Sequence, residues 1–257
     1  MQSTLLHCKA IMNNNNILSL AIPVVALLLS TILIAVILLI DVANLAYAKH
    51  QQQSQNATQL IQKLFTPVTS NASALGSSDA AVTLIEFGDY QCAACYKFHA
   101  DTRDLILTNL VKTGKVKFLF KDFPILDLPT DRASTLASEA SYCAADQGKY
   151  WQYHDKLYNS WQGENTGWIT KASLTQFAIS IGIKNIKEFS QCLDSGKYAA
   201  VVADNFNLAR GIGITATPSF VLISNSSLIS YMLEIVGAQP YAVFANIVNI
   251  MTAHSRM

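Results

Sequence analysis

The longest apolar run lies near the start of the chain. From Ile17 to Ile40, 24 residues pass with only Ser19, Pro23, Ser30 and Thr31 interrupting, and no charged side chain occurs between Lys9 and Asp41. A helix of that length rises roughly 36 Å, enough for a hydrocarbon core of about 30 Å. The pattern predicts one transmembrane helix over 17–40, preceded by a short cytosolic tail, 1–16. A buried helix of a soluble protein would keep a polar face, and a secretory leader has a shorter apolar region, about 7–15 residues. Ala46-Tyr47-Ala48 resembles a cleavage site, so secretion after cleavage near Ala48 stands as the alternative.

Beyond Asp41 the pattern changes twice. Lys49 to Ser78 is rich in Gln, Ser, Asn and Thr, so residues 41–75 read as a stalk, with room for a short helix from Asn56 to Phe65. Residues 76–254 then read as one globular domain. Ala81 to Phe87 is a β-branched and aromatic run ended by Gly88-Asp89, a buried strand. Cys92 to about Lys112 has helical spacing, and Lys115 to Phe120 is a second strand. A helical stretch occupies about 130–209, opening at Ala133, Leu136, Ala137, Ala140 and Cys143 with Asp131 as the candidate N-cap. Strands return at Ser219 to Ser224 and Tyr231 to Val236, and Gln239 to Thr252 closes with an apolar helix. The order predicts an α/β core carrying an all-helical insertion.

Composition sharpens this picture at a few points. Of 257 residues, 51% are hydrophobic and 14% charged, which excludes disorder over the whole chain. The net charge of +1 offers no basic field, so nucleic acid is not an expected partner. The charges flanking the apolar run, Lys9 before it and Lys49 and Lys63 after it, do not orient it. Sequons at Asn56, Asn71 and Asn225 place the domain outside the cytoplasm. So does cysteine parity: Cys8 precedes the span, while Cys92, Cys95, Cys143 and Cys192 form an even set beyond it.

Candidate chemistry centres on Cys92-Ala93-Ala94-Cys95, which follows a predicted strand and opens a helix. The thiolate is the nucleophile of disulfide exchange, and the first turn of a helix offers unpaired N–H groups and a partial positive charge. Cys92 is placed in that turn, with Cys95 nearly one turn on. A dithiol at this spacing passes two electrons without a cofactor. A zinc site would need two further ligands, of which His99 supplies at most one, and haem attachment would need His where Tyr96 stands. No metal is expected.

With Leu84-Ile85-Glu86-Phe87-Gly88-Asp89-Tyr90 before the CAAC motif, Cys143 to Trp151, Cys192 to Lys197 and Thr217-Pro218-Ser219-Phe220, the chain from roughly Leu75 to Ala253 resembles the thioredoxin superfamily, specifically its DsbA-like branch. The resemblance implies a thioredoxin-like fold and a thiol:disulfide oxidoreductase with no cofactor beyond its cysteine pair. It implies that Pro218 is a cis-proline facing Cys92 and Cys95, and that the Thr217 backbone is free to pair with an extended client segment. The Thr217 hydroxyl could bond a nearby sulfur. Glu86 matches the family's buried acid, expected to take the Cys95 proton; a solvent-facing strand residue is the other possibility. Ala216 stands where relatives often have Gly. Ala93 and Ala94 offer the Cys92 thiolate no side-chain donor, so a weaker oxidant than the strongest members is expected.

Cys143 and Cys192 both fall in the insertion. They could be free buried thiols, but in an oxidising compartment a structural disulfide is expected. The sequence as a whole predicts a single-pass plasma-membrane enzyme with its catalytic domain outside. Its partners would be unfolded or reduced secreted proteins and a quinone-linked membrane reoxidant. The alternatives are an extracytoplasmic thiol reductase or a non-catalytic thioredoxin-like binding module.

Overall fold

The computed structural model describes residues 14–65, 74–224 and 232–254. The tail with Cys8, the sequons at Asn71 and Asn225, and the side chain of Asn56 lie outside the described residues. The chain divides into two compact units, Met1–Gln59 and Leu60–Met257.

The described part of the first unit is helical. Helix α1 (Asn14–Phe65) is continuous for 52 residues. An 18-residue window within Ala26–Gln55 reaches a mean hydropathy of 2.8 and is 0% buried. Leu28, Ile34, Leu38 and Ile40 all stand exposed. In water such a face would be unfavourable; in hydrocarbon it costs nothing. The polar interruptions are satisfied locally: Ser30 Oγ donates to the Leu27 carbonyl at 2.8 Å and Thr31 Oγ1 to that of Leu28 at 2.9 Å. Helix α1 also continues through Lys49 to Phe65, the stretch read from its polarity as a stalk. Gln, Ala, Lys and Leu have good helix propensity, so polarity there did not mean loop.

The second unit is built on a sheet of order β2-β1-β3-β4. Strands β1 (Val82–Gly88) and β2 (Val116–Asp122) are parallel; β3 (Ser219–Ser224) and β4 (Met232–Val236) run antiparallel to β1 and to each other. Val82 and Leu84 pack with Phe98, Ile106, Phe244 and Val248 on one face. Ile85 and Phe87 pack on the other with Leu208, Ile214 and Leu64, the last of these from the end of α1. Alternation along β1 places Glu86 on the face of Val82 and Leu84.

Between β1 and β2 the chain forms α2 (Ala93–Phe98), a π-helical stretch (His99–Arg103), the single turn α3 (Asp104–Ile106) and a second π-helical stretch (Leu107–Val111). Between β2 and β3 lie α4 (Ala133–Ala145), α5 (Tyr150–Asn159), α6 (Lys171–Ser180), α7 (Ile186–Asp194) and α8 (Ala199–Gly211). Tyr142, Tyr153, Leu157 and Phe189 of this insertion form a core that continues beyond it to Tyr90, Cys92, Cys95 and Phe120. Helix α9 (Tyr241–His254) closes the fold. Asp131 does not cap α4. Arg132 holds that position without a side-chain bond, and Asp127 reaches in instead, accepting from the Thr135 N–H at 3.2 Å and its hydroxyl at 2.5 Å. A loop folded back on itself through Leu128 and Asp131 supplies the acceptor that the adjacent residue does not.

Candidate functional site

The site begins where β1 ends. Asp89 is buried, and its carboxylate accepts the N–H of Gln91 at 2.9 Å and of Leu126 at 3.0 Å. Its carbonyl accepts the Cys92 N–H at 3.1 Å and the Tyr158 hydroxyl at 3.4 Å. These bonds fix the turn that delivers Cys92. Gly88 is required for a different reason: a Cβ there would lie 2.5 Å from the Phe120 ring.

Cys92 is the N-cap of α2 rather than a residue of its first turn, with φ −67° and ψ 125°. Its carbonyl accepts the Tyr96 N–H at 3.0 Å. The thiol stays beside the unpaired amides that motivated the expectation, one position earlier. Its pKa is lowered to about 6. Hydrogen bonding with the Cys95 thiol contributes most, burial opposes it, and the Thr217 side chain and the amides of Cys95 and Ala94 add to the lowering. The Cys95 thiol is pushed well above its usual range by burial, by Cys92 and by Glu86. The two sulfurs are thus divided into one that ionises near neutrality and one that holds its proton.

The loop before β3 closes over this pair. The Thr217–Pro218 peptide is cis. The Thr217 carbonyl, not its hydroxyl, accepts from Cys92 Sγ, at 3.5 Å. The hydroxyl is buried without a hydrogen-bond partner, placed to donate once the sulfur is an anion. Ala216 needs no left-handed conformation, because the turn takes it at Gly213, φ 90°.

Glu86 is buried, 1% exposed, and its Oε2 has no hydrogen-bond partner. Burial raises its pKa to about 8, Arg103 works against that, and Cys92 adds to it. Asp89 rises to about 7, chiefly through burial. Two buried acids with raised pKa values therefore stand near the cysteines, Glu86 mostly protonated at neutral pH and Asp89 about half so. Sequence reading named Glu86 but not Asp89; a carboxylate three residues before the first cysteine, after a strand-ending glycine, was the available signal.

Cys143 and Cys192 are joined, with S–S 2.03 Å and Cα–Cα 5.8 Å, linking α4 to α7. Both are buried in the insertion core.

A second cluster lies between the π-helical stretch and α5. His99, His154 and Asp155 bring donor atoms within 4.8 Å of one another. Burial depresses both imidazoles, His99 to about 4 and His154 well below its usual value. Arg103 enters the same place, 3.0 Å from Asp155 and 5.6 Å over the Trp151 ring. That guanidinium already engages the carboxylate and brings its own positive charge, so the donor set suits an ion pair better than a metal ion.

Comparison with known proteins agrees with this geometry. A thioredoxin family model matches residues 68–226, more than half of the chain. The chain belongs to the thioredoxin family. It is a DsbA-like member. The disulfide bond formation protein D of Bacillus subtilis is 31% identical over 145 residues, which cover 56% of this chain and 64% of that one, somewhat under two thirds of the relative. The crystal structure of oxidised BdbD from Bacillus subtilis superposes with a TM-score of 0.61 at 25% identity, covering 70% of this chain and 92% of that one. For alpha-DsbA1 of Wolbachia pipientis the values are 0.64, 25%, 75% and 96%. The fold expected from sequence, a thioredoxin-like sheet with a helical insertion after an N-terminal apolar helix, is the one observed.

Proposed function

We propose that this chain is a membrane-anchored thiol:disulfide oxidoreductase that forms disulfides in proteins outside the cytoplasm. The observation that carries this is the unequal pair: Cys92 at the helix cap with its pKa near 6, and Cys95 buried with its proton held. In the oxidising direction a client thiolate attacks Cys92 Sγ and breaks the Cys92–Cys95 bond. Cys95 leaves as a thiolate and takes a proton, for which Glu86 and Asp89 are the adjacent acids. A second client thiolate then attacks the client sulfur of the mixed disulfide. The client gains a disulfide, two electrons remain on the enzyme, and Cys92 departs as a stable thiolate. The Thr217 hydroxyl and the amides of Ala94 and Cys95 favour that leaving group.

The relatives named for disulfide bond formation support this direction. The helix over the apolar run supports anchoring, with the active domain on the extracytoplasmic side of the plasma membrane. Reoxidation falls to a membrane partner, and a quinone-linked protein is the one the family resemblance favours. The test is the redox state of Cys92 and Cys95 in intact cells, read by alkylation before lysis. A mostly oxidised pair is expected; a mostly reduced pair would assign the chain to client reduction. Protease added to spheroplasts should also release the domain, and full protection would refute the topology.

A further inference from the structure

The loop between α5 and α6 reaches across to the active-site helix. Glu164 Oε1 accepts the Ala93 N–H at 2.8 Å. Ala93 is the first residue of α2 and the neighbour of Cys92. Glu164 itself is exposed, yet its loop is fastened on several sides. Trp161 Nε1 donates to the Gln91 carbonyl at 2.7 Å, and the Asn165 N–H donates to Gln91 Oε1 at 3.1 Å. Gln91 Nε2 donates in turn to Ser134 Oγ at 2.9 Å. The Trp161 ring stacks on Tyr96, with centroids 4.8 Å apart and planes 9° apart. Asn165 has φ 53°, the left-handed region. An ordinary surface glutamate loses side-chain entropy to make such a bond. Here the loop's anchors hold the backbone beneath it, so only that side-chain entropy is lost.

The consequence follows from what reduction does to charge. With glutathione the exchange is disulfide plus two glutathione thiols giving Cys92 thiolate, Cys95 thiol, one glutathione disulfide and one proton. A negative charge appears at Cys92. The groups facing it are Cys95 and the amides of Ala94 and Cys95 from α2, Thr217 from the cis-proline loop, Glu86 from β1, Asp89 from the turn, and Glu164 from the insertion loop. Glu86 and Asp89 are buried acids whose pKa values are raised, to about 8 and about 7. Glu164 differs from them in being solvated and in occupying an amide at the helix start. That amide is no longer free to face the sulfur, and the carboxylate opposes the new charge.

We propose that Glu164 is a positioning residue of the redox site: its negative charge, fixed beside Cys92 by the bond to the Ala93 N–H, disfavours the dithiol and makes the chain a milder oxidant. This rests on the thiol:disulfide reading and specifies how the insertion regulates it. Solvent limits the size of the effect.

The test is equilibration of the full chain in detergent with glutathione buffers, alongside the pH profile of Cys92 alkylation. Glu164→Gln keeps a neutral acceptor and removes the charge. It should raise the equilibrium constant for reduction about threefold, or roughly 14 mV at 29.6 mV per tenfold. The alkylation midpoint should fall by about half a pH unit, since tenfold in the ionisation constant is one unit. Glu164→Asp should return toward wild type, and raised salt should narrow the differences. In a Trp161→Ala background, where the loop is unfastened, adding Glu164→Gln should change nothing further. An unchanged constant and midpoint in Glu164→Gln, or shifts of opposite sign, would overturn the proposal while leaving the enzyme reading intact. Failure of the wild-type pair to equilibrate at all would overturn both.

Discussion

Two pairs of cysteines in one domain have been given opposite surroundings. Cys143 and Cys192 are joined between α4 and α7 within a core of Tyr142, Tyr153 and Phe189. Cys92 and Cys95 are unlinked, one helical turn apart, beneath the cis Thr217–Pro218 peptide. Around them lie a buried glutamate with an unpartnered oxygen, a buried aspartate and an unpartnered threonine hydroxyl. Polar groups buried without partners cost stability. At Cys92 and Cys95 two such groups, the Glu86 oxygen and the Thr217 hydroxyl, stand next to the sulfurs themselves, where stability has been exchanged for reactivity. A thiol in itself is neither structural nor catalytic; the turn before it, the acids beneath it and the loop across it decide.

The largest effect expected is the loss of exchange. Cys92→Ala should remove thiol:disulfide exchange altogether and trap no client. Cys95→Ala should keep the attacking sulfur and lose the resolving one, so mixed disulfides through Cys92 should accumulate on non-reducing gels. Trapping by Cys92→Ala and not by Cys95→Ala would reverse the assignment. Next in size is the insertion pair. Its linkage spans a sequence separation of 49, which contributes about 2–4 kcal/mol on the chain-entropy account. Replacing both Cys143 and Cys192 by Ala should lower the Tm by roughly 5–15 °C while sparing exchange. Loss of exchange at a temperature where that variant is folded would erase the contrast.

A smaller, pH-dependent effect is expected at Glu86. Its folded pKa of about 8 lies above the unfolded value of 4.5. Between those values the folded protein binds more protons than the unfolded chain, so this group lowers stability as pH rises through that window. Glu86→Gln should therefore raise the Tm at pH 8 by several degrees and change it little at pH 4, where both forms are protonated. Equal gains at both pH values would show that burial of the charge is not the cause. Cys92 gives the opposite slope. Its pKa is depressed to about 6, so the stabilisation of the reduced form is full above about pH 9 and lost as pH falls through 6. Thermal melts of the reduced chain, compared with the oxidised chain at pH 5 and 8, should show the gap moving in favour of the reduced form at the higher pH.

The strands, the redox motif and the order of elements were legible because each is written locally. Val82 to Phe87 is β-branched and ends at glycine, and CxxC follows directly. What was not legible arises from contacts across the fold. Glu164 lies 71 residues from the amide it holds, and nothing in Gly163-Glu164-Asn165 announces that partner. Asp155 and Arg103 meet only because a π-helical stretch and α5 pack together. The polarity of Lys49 to Gln55 hides a helix that its propensity allows, and only Asn56 to Phe65 of that stretch reads as helical. Asp131 was passed over as a cap because Asp127, on a folded-back loop, reaches the same amide first.

The most direct test of the contrast is a redox titration of the intact chain that reports both pairs at once. The protein is equilibrated in glutathione buffers of graded ratio, quenched with acid, alkylated and mapped by mass spectrometry. The account predicts that Cys92 and Cys95 open and close reversibly within the range while Cys143 and Cys192 stay joined throughout. Opening of Cys143–Cys192 at the same or a milder reducing ratio than Cys92–Cys95 would contradict it.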